Sequence, residues 1–421
     1  MTYNLLTFNS GSVRVPHFKI VLQYAQPDVL VAQELGSQAA VDYFLNSVLN
    51  SVNPGEWAAA TFTDVTDDDN ALFYRTAKVQ VLSHLDIETP TGRQIDEWRI
   101  RPVGYASAEA EMRMYVAHLS PNQGGSAPHH RLSEVTAMRA RMETFPAGQN
   151  YVVCGDLNLY DSDEPAYQYM LSTGDGQAGV VSDPIDTPGD WHDQQEFAPV
   201  HTQSTRLPSV GGGSGGGMDD RFDFILRSPA LKDHQGLDLL ESTYTALGED
   251  GLHFNISITD PPDNAVVPQE IAQALYSASD HIPVFADFQL PAIIVAGAAL
   301  DFGVVLTGGL VTRDLSMANA AASPADDLDY TFAVAPPFGA PGGSFEVESG
   351  APANIHAITL LSPNPGTFAE DLVISSDDPD DPKHVVALTG QVWQHAQPSV
   401  VEESLLTVAA LDFGTHASGE F

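Results

Sequence analysis

Tyr151-Val-Val-Cys-Gly-Asp-Leu-Asn158 runs from four apolar residues straight into Asp156 and Asn158. A short apolar run of this kind reads as a strand buried on both faces. Such a strand delivers its last side chains to a sheet edge, where loops gather and functional groups are housed. Cys154, the one cysteine of the chain, lies inside the run and reads as a small buried side chain rather than a nucleophile. A single cysteine also excludes an intramolecular disulfide and any multi-cysteine zinc site.

Working outward, several other segments repeat the pattern of an apolar run ending in polar residues. Tyr3–Asn9 (YNLLTFN) ends at Asn9, and Asp28–Glu34 (DVLVAQE) ends at Gln33 and Glu34. In Arg113–His118 (RMYVAH), alternation puts Met114, Val116 and His118 on one face and leaves the histidine at the strand end. In Arg221–Leu226 (RFDFIL), Phe222, Phe224 and Leu226 share a face and Asp223 points the other way. Asp280 and His281 open the alternating run that ends at Phe288. One polar strand end means little, because loops are polar. Six ends of a common sheet would pool carboxylates, carboxamides and two histidines in one place. That is the inventory needed by a hard divalent cation and a phosphoryl group: oxygen ligands for the ion, a base for water, and donors for developing negative charge.

The 421 residues are 43% hydrophobic and 17% charged, which predicts two or three folded domains and excludes wholesale disorder. The formal charge of −39 argues against a protein that lives on nonspecific nucleic-acid binding, since phosphate contacts supply most of that affinity. No apolar stretch is long enough to span a bilayer, and the first residues lack the pattern of a signal peptide, so the chain reads as soluble. Residues 1–291 alternate strand-like and helical runs, as an α/β domain should. Residues 292–393 read instead as a β-sandwich of short strands separated by Pro, Gly and Asp turns. AALDFG at Ala298–Gly303 returns at Ala409–Gly414, so 394–421 reads as the start of a second, truncated sandwich repeat of a longer protein. The second half carries only Arg313 and Lys383 as cations, which disfavours it as a nucleic-acid-binding accessory. Gly211–Gly217 (GGGSGGG) matches two glycine motifs by accident, without the flanking strand and helix either needs, and reads as an active-site loop or spacer.

The set Asn9, Gln33-Glu34, Asp69–Arg75 (DNALFYR), His118-Leu119, Gly155–Asn158 (GDLN), Arg221–Asp223 and Ser279–His281 resembles, in order and spacing, the endonuclease/exonuclease/phosphatase superfamily. Coverage runs from Tyr3 to about Gln289, and Tyr160–Gln168 is similar to a secreted bacterial branch. The resemblance implies an α/β four-layer sandwich, α/β/β/α, of two mixed sheets like deoxyribonuclease I. It implies catalytic roles for His118, Asp156, Asn158, Asp223 and His281, with His281 the base and Asp223 its carboxylate partner. Asn9, Glu34 and Asp280 would lie at the metal, a divalent cation such as Mg²⁺, Mn²⁺ or Ca²⁺, and Arg113 and Arg221 would meet substrate. Gly11 stands where some members carry a second acidic ligand, and the tryptophan-rich run of the inositol polyphosphate 5-phosphatases is missing. The second domain resembles immunoglobulin-like repeats of bacterial surface proteins, which implies an extracellular or cell-surface enzyme attached through those repeats.

The leading expectation is therefore an extracellular nuclease acting by a metal-assisted, His-activated water without a covalent intermediate. A phospholipid (sphingomyelinase-like) or soluble phosphoester hydrolase is the alternative, favoured by the net charge. A non-catalytic surface protein that keeps the fold is disfavoured by retention of every residue named. Among the arginines Arg93, Arg99, Arg101 and Arg113, pairing with Asp96, Glu97, Glu109 and Glu111 is the plainer reading than a phosphate-facing strip. His129-His130 reads as a solvated pair, and Asp377–Pro382 (DDPDDP) as a polar turn rather than a Ca²⁺ loop.

Overall fold

The computed structural model describes residues 1–65, 69–173 and 178–396. They divide into two units, one of Met1–Pro291 with Ala321–Asp326, the other of Ala292–Ala320 and the chain from Asp327. The predicted second repeat, including its AALDFG, lies outside the described residues.

The first unit is built on two mixed sheets. The first holds β1 (Thr2–Phe8), β2 (Val29–Leu35), β3 (Trp57–Ala59) and β4 (Asp69–Arg75), extended past β1 by the short strands Val284–Phe285 and Thr245–Ala246. The second runs in sequence order through β5 (Val79–Glu88), β6 (Gln94–Pro102), β7 (Met112–His118), β8 (Tyr151–Asp156) and β9 (Asp223–Arg227). β1 and β2 are parallel, as are β7 and β8, each pair joined by a chain segment that carries a helix.

Why the layers stack follows from which faces are apolar. Val31, Leu72, Trp98, Val116, Cys154 and Ile225, drawn from both sheets, form one buried cluster between them. The outer face of the first sheet (Tyr3, Leu5, Phe8) is covered by the helices Val15–Ala25, Gln38–Phe44 and Gln269–Ala278. The outer face of the second (Tyr115, Val153, Phe224) is covered by Ala127–Met142 and Pro165–Leu171. The result is the α/β/β/α sandwich. Phe44 packs edge-on against Phe8 and Phe18, so Phe44→Ala should cost about 3–5 kcal/mol.

The second unit is all β. A sheet of Ile294–Ala296, Val311–Asn319, Asn354–Leu360 and Phe338–Gly339 accompanies one of Ala299–Leu306, Lys383–Trp393, Gly366–Ser376, Leu328–Ala333 and Ser344–Val347. Leu315, Met317, Ile358, Leu372, Ile374, Val386 and Leu388 from the two sheets share one core. In the acidic turn, Asp378 Oδ1 accepts from the amides of Asp380 and Asp381, and its Oδ2 from the amide of Ile294.

Candidate active site

Three strands of the second sheet end in register. His118 on β7 lies opposite Asp156 on β8, and Asp156 lies opposite Asp223 on β9. Ordinary pairing thus sets three candidate side chains in a row. Gly155 makes the close approach possible, because a Cβ there would lie 2.0 Å from the Ala117 carbonyl oxygen.

The first sheet contributes through irregularity. The β1–β2 register shifts between Asn4 and Phe8, and the β2–β4 register between Ala32 and Leu35. Leu6 (φ 51°), Thr7 (φ 44°) and Glu34 (φ 63°) all adopt the left-handed region, which costs a non-glycine residue about 1–2 kcal/mol. The bulge turns Thr7 toward Glu34, whose Oε2 accepts from the Thr7 amide at 2.7 Å and from its hydroxyl at 3.1 Å. Asn4, buried mid-strand, donates Nδ2 to Glu34 Oε1 at 2.9 Å and to Asp156 Oδ2 at 3.0 Å, so it bridges the two sheets.

Asp156 is the hub. His118 Nε2 stands 3.5 Å and His281 Nε2 3.6 Å from its Oδ2, and the Asn158 amide donates to its Oδ1. His281 Nδ1 is 2.7 Å from Asp223 Oδ2. Donation there fixes the tautomer and leaves Nε2 as the basic atom, 2.6 Å from the Gln203 carboxamide. Burial raises the Asp156 carboxyl to about 7, opposed by His281 and reinforced by the charge of Asp223. Burial alone would lower the His281 pKa, but the charges of Asp223 and Asp156 overcome it and lift the imidazole well above its usual range.

Glu34, His118 and Asp156 bring one ligand atom each within 4.8 Å of the others. Two carboxylates and an imidazole, with Asn4 and Thr7 fixing Glu34 from behind, fit a divalent cation. Beside His118 opens a cavity of about 310 Å³ lined by Asp69, Asn70, Thr91, Arg93 and Gln94.

Four sequence expectations change. Asn9 does not meet Glu34: it is exposed and donates to the Thr7 carbonyl, and Asn4 holds the position assigned to it. Asp280 is buried and lies outside the group Glu34, His118 and Asp156, its Oδ2 accepting from the Ser214 amide at 2.6 Å. Arg221 is buried against Asp183 at 2.8 Å and over the Phe224 ring, and so is structural. Arg113 pairs with Glu97 and packs on Phe145. Arg99 and Arg101 pair with Glu111, whereas Arg93 reaches the His118 carbonyl at 3.1 Å and lines the cavity. Asn158 lies at the site, its side-chain Nδ2 donating to the Leu119 carbonyl at 3.0 Å. His129 and His130 are exposed on a helix rather than in a loop.

Asn4, Thr7, Thr202 and Gln203 were not singled out in the sequence. Thr202 Oγ1 accepts from the amides of Phe222 and Asp223, seating the start of β9. For Asn4 a signal existed: a carboxamide in the middle of an apolar strand must find buried partners. The glycine run belongs to the site. A Cβ on Gly213 would lie 2.8 Å from Asp280 Oδ2 and equally close to Leu6, so a side chain there would displace one of the two. Cys154 is buried and its thiol raised to about 12 by burial, as suits an inert core residue.

A family model described as the Endonuclease/Exonuclease/phosphatase family matches residues 1–281. No curated protein sequence matches the chain. Among solved structures, D. rerio TDP2 complexed with a single-strand DNA product is 16% identical, covering 68% of this chain and 97% of its own, with TM-score 0.44. ANGEL2, a 2',3'-cyclic phosphatase solved with adenosine-2',3'-vanadate, is 16% identical over 68% of this chain and 94% of its own, with TM-score 0.43. An endonuclease/exonuclease/phosphatase from Beutenbergia cavernae DSM 12333 is 14% identical over 93% of this chain and 98% of its own, also with TM-score 0.43.

Proposed function

This chain belongs to the endonuclease/exonuclease/phosphatase family of phosphoester hydrolases, and on that premise we propose that it is a divalent-cation-dependent phosphodiesterase of the nuclease type. One observation carries the reading: a buried His281–Asp223 pair stands against Asp156, which has Glu34 and His118 within ligand distance. Glu34, Asp156 and His118 would hold the cation, which when bound supplies Lewis-acid polarisation of a phosphoryl oxygen.

The remaining chemistry belongs to the side chains. Asp223 accepts the Nδ1–H of His281 and stabilises the imidazolium that forms when Nε2 takes a proton from water. Gln203, at Nε2, orients that imidazole and the water beside it. Asn4 keeps Glu34 and Asp156 at fixed separation, so the charged groups do not reorganise during the reaction. Arg93, on the cavity beside His118, supplies a cation for a neighbouring phosphate. Phosphoryl transfer of this kind is positioning plus charge stabilisation and needs no covalent enzyme intermediate.

Export and attachment through the β-sandwich unit complete the proposal, resting on the sequence likeness of that unit to surface repeats; fractionation of the native host tests it. The net charge of −39 favours a second reading, a phospholipid or small phosphodiester as substrate. Incubation with plasmid DNA, RNA, sphingomyelin and a chromogenic phosphodiester, each with Mg²⁺, Mn²⁺ or Ca²⁺, separates the two. Nucleic-acid cleavage that falls steeply with salt supports the nuclease. Cleavage of sphingomyelin alone overturns it.

A further inference from the structure

β5 and β6 carry a second cluster of metal-ligating side chains. His84 and Asp86 are two residues apart and so share a face of β5, while Asp96 on β6 lies directly opposite Asp86. Like charges opposite one another on an antiparallel pair are destabilising unless a cation lies between them. His84 Nε2 stands 2.7 Å from Asp96 Oδ1 and 3.1 Å from Asp86 Oδ1. One N–H satisfies one oxygen, and Asp86 Oδ1 is buried without a hydrogen-bond donor.

Each group is held from behind. Asp86 Oδ2 accepts from the Thr63 hydroxyl at 2.8 Å and Asp96 Oδ2 from Asn70 Nδ2 at 3.0 Å, which leaves both Oδ1 atoms aimed at the imidazole. The His84 ring is stacked on buried Trp98, centroids 4.8 Å apart and planes 10° from parallel. Neutral donors fixing the far oxygen of each carboxylate are the usual support behind metal ligands. The three ligand atoms lie within 4.8 Å of one another, and adjacent ligands about 2.1 Å from one ion are themselves about 3 Å apart.

We propose that His84, Asp86 and Asp96 hold a structural divalent ion of the Zn²⁺ or Mn²⁺ kind, separate from the ion at Glu34 and Asp156. One imidazole with two carboxylates, the same donor set as Glu34, His118 and Asp156, accepts Zn²⁺ and Mn²⁺ readily. The ion would clamp β5 and β6 to the Thr63 segment and, through Asn70, to the wall of the cavity beside His118.

The test strips the full chain with chelator, reloads it with Zn²⁺, and counts bound metal by elemental mass spectrometry after desalting. Two equivalents are expected in the wild type, and one each in His84→Ala, Asp86→Asn and the Glu34→Gln/Asp156→Asn double variant. Zn²⁺ should raise the melting temperature of the double variant, whose one remaining ion is that at His84, Asp86 and Asp96. Hydrolysis by Asp86→Asn with Mg²⁺ should stay within about twofold of wild type. If the wild type binds one ion, that ion is retained by the double variant and lost from Asp86→Asn, the second site stands and the proposed catalytic ion falls. A double variant that binds none, or an Asp86→Asn count equal to wild type, overturns the inference. Asp86→Asn, partly exposed and isosteric, decides should His84→Ala fail to fold.

Discussion

The two sheets of the first unit build the same pocket by opposite means. On the second sheet, unbroken register places His118, Asp156 and Asp223 side by side at three strand ends. On the first, Asn4 and Glu34 arrive through bulges and left-handed residues at Leu6, Thr7 and Glu34. The regular side carries two carboxylates and an imidazole in one row. The irregular side carries the groups that hold one carboxylate in place. Strain is concentrated where a side chain had to be re-aimed, and what it achieves is the bridge from Asn4 to both Glu34 and Asp156.

The contrast breaks most visibly at its regular edge. His281→Ala removes the base and should lower kcat about 10³-fold, with a lower melting temperature because Asp223 is left buried without its partner, as read with a chromogenic phosphodiester and by calorimetry. Next comes the irregular edge, where Asn4→Ala should lower kcat/KM about 100-fold through the unsupported carboxylates. Asn9→Ala, exposed and bonded to the Thr7 carbonyl rather than to Glu34, should stay within about twofold, and equal losses in the two variants would undo the assignment.

A third expectation concerns the hub. Asp156, raised to about 7, binds a proton below that pH, and the proton competes with a cation for the same oxygen. Affinity for Mg²⁺ or Mn²⁺ should therefore fall as pH drops through the raised Asp156 range, and level off above it. Titration calorimetry at several pH values shows whether it does; a pH-independent affinity would mean the ion does not use Asp156. The smallest effect belongs to Gln203, a neutral group on the His281 nitrogen. Gln203→Ala should lower kcat several-fold and move the acid limb of the pH–rate profile, while leaving KM nearly unchanged.

Legibility in the sequence followed the same division. Alternation and strand ends are local properties, so His118, Asp156, Asp223 and His281 could be picked from apolar runs that stop at polar residues. A bulge shifts register by one residue and is invisible to such a reading, which is why the strand end at Asn9 stood in for the mid-strand Asn4. Arg221 failed for another reason. Its partner Asp183 lies 38 residues upstream and meets it only in the folded chain, so a cation beside a catalytic strand read as a phosphate contact. The glycine run could be recognised as a loop but not placed, because its seat against Asp280 and Leu6 is tertiary. The His84–Asp96 pair was hidden by the same plain fact, since antiparallel register rather than sequence spacing sets those residues together.

Hydrolysis of a chromogenic phosphodiester, followed through chelation and re-addition of Mn²⁺ in the wild type and in Asp156→Ala, tests the central claim most directly. The account predicts that chelation abolishes wild-type turnover, that Mn²⁺ restores it, and that Asp156→Ala stays folded and inactive at every concentration of the ion. Turnover that survives the chelator, or an Asp156→Ala variant as active as the wild type, would contradict it.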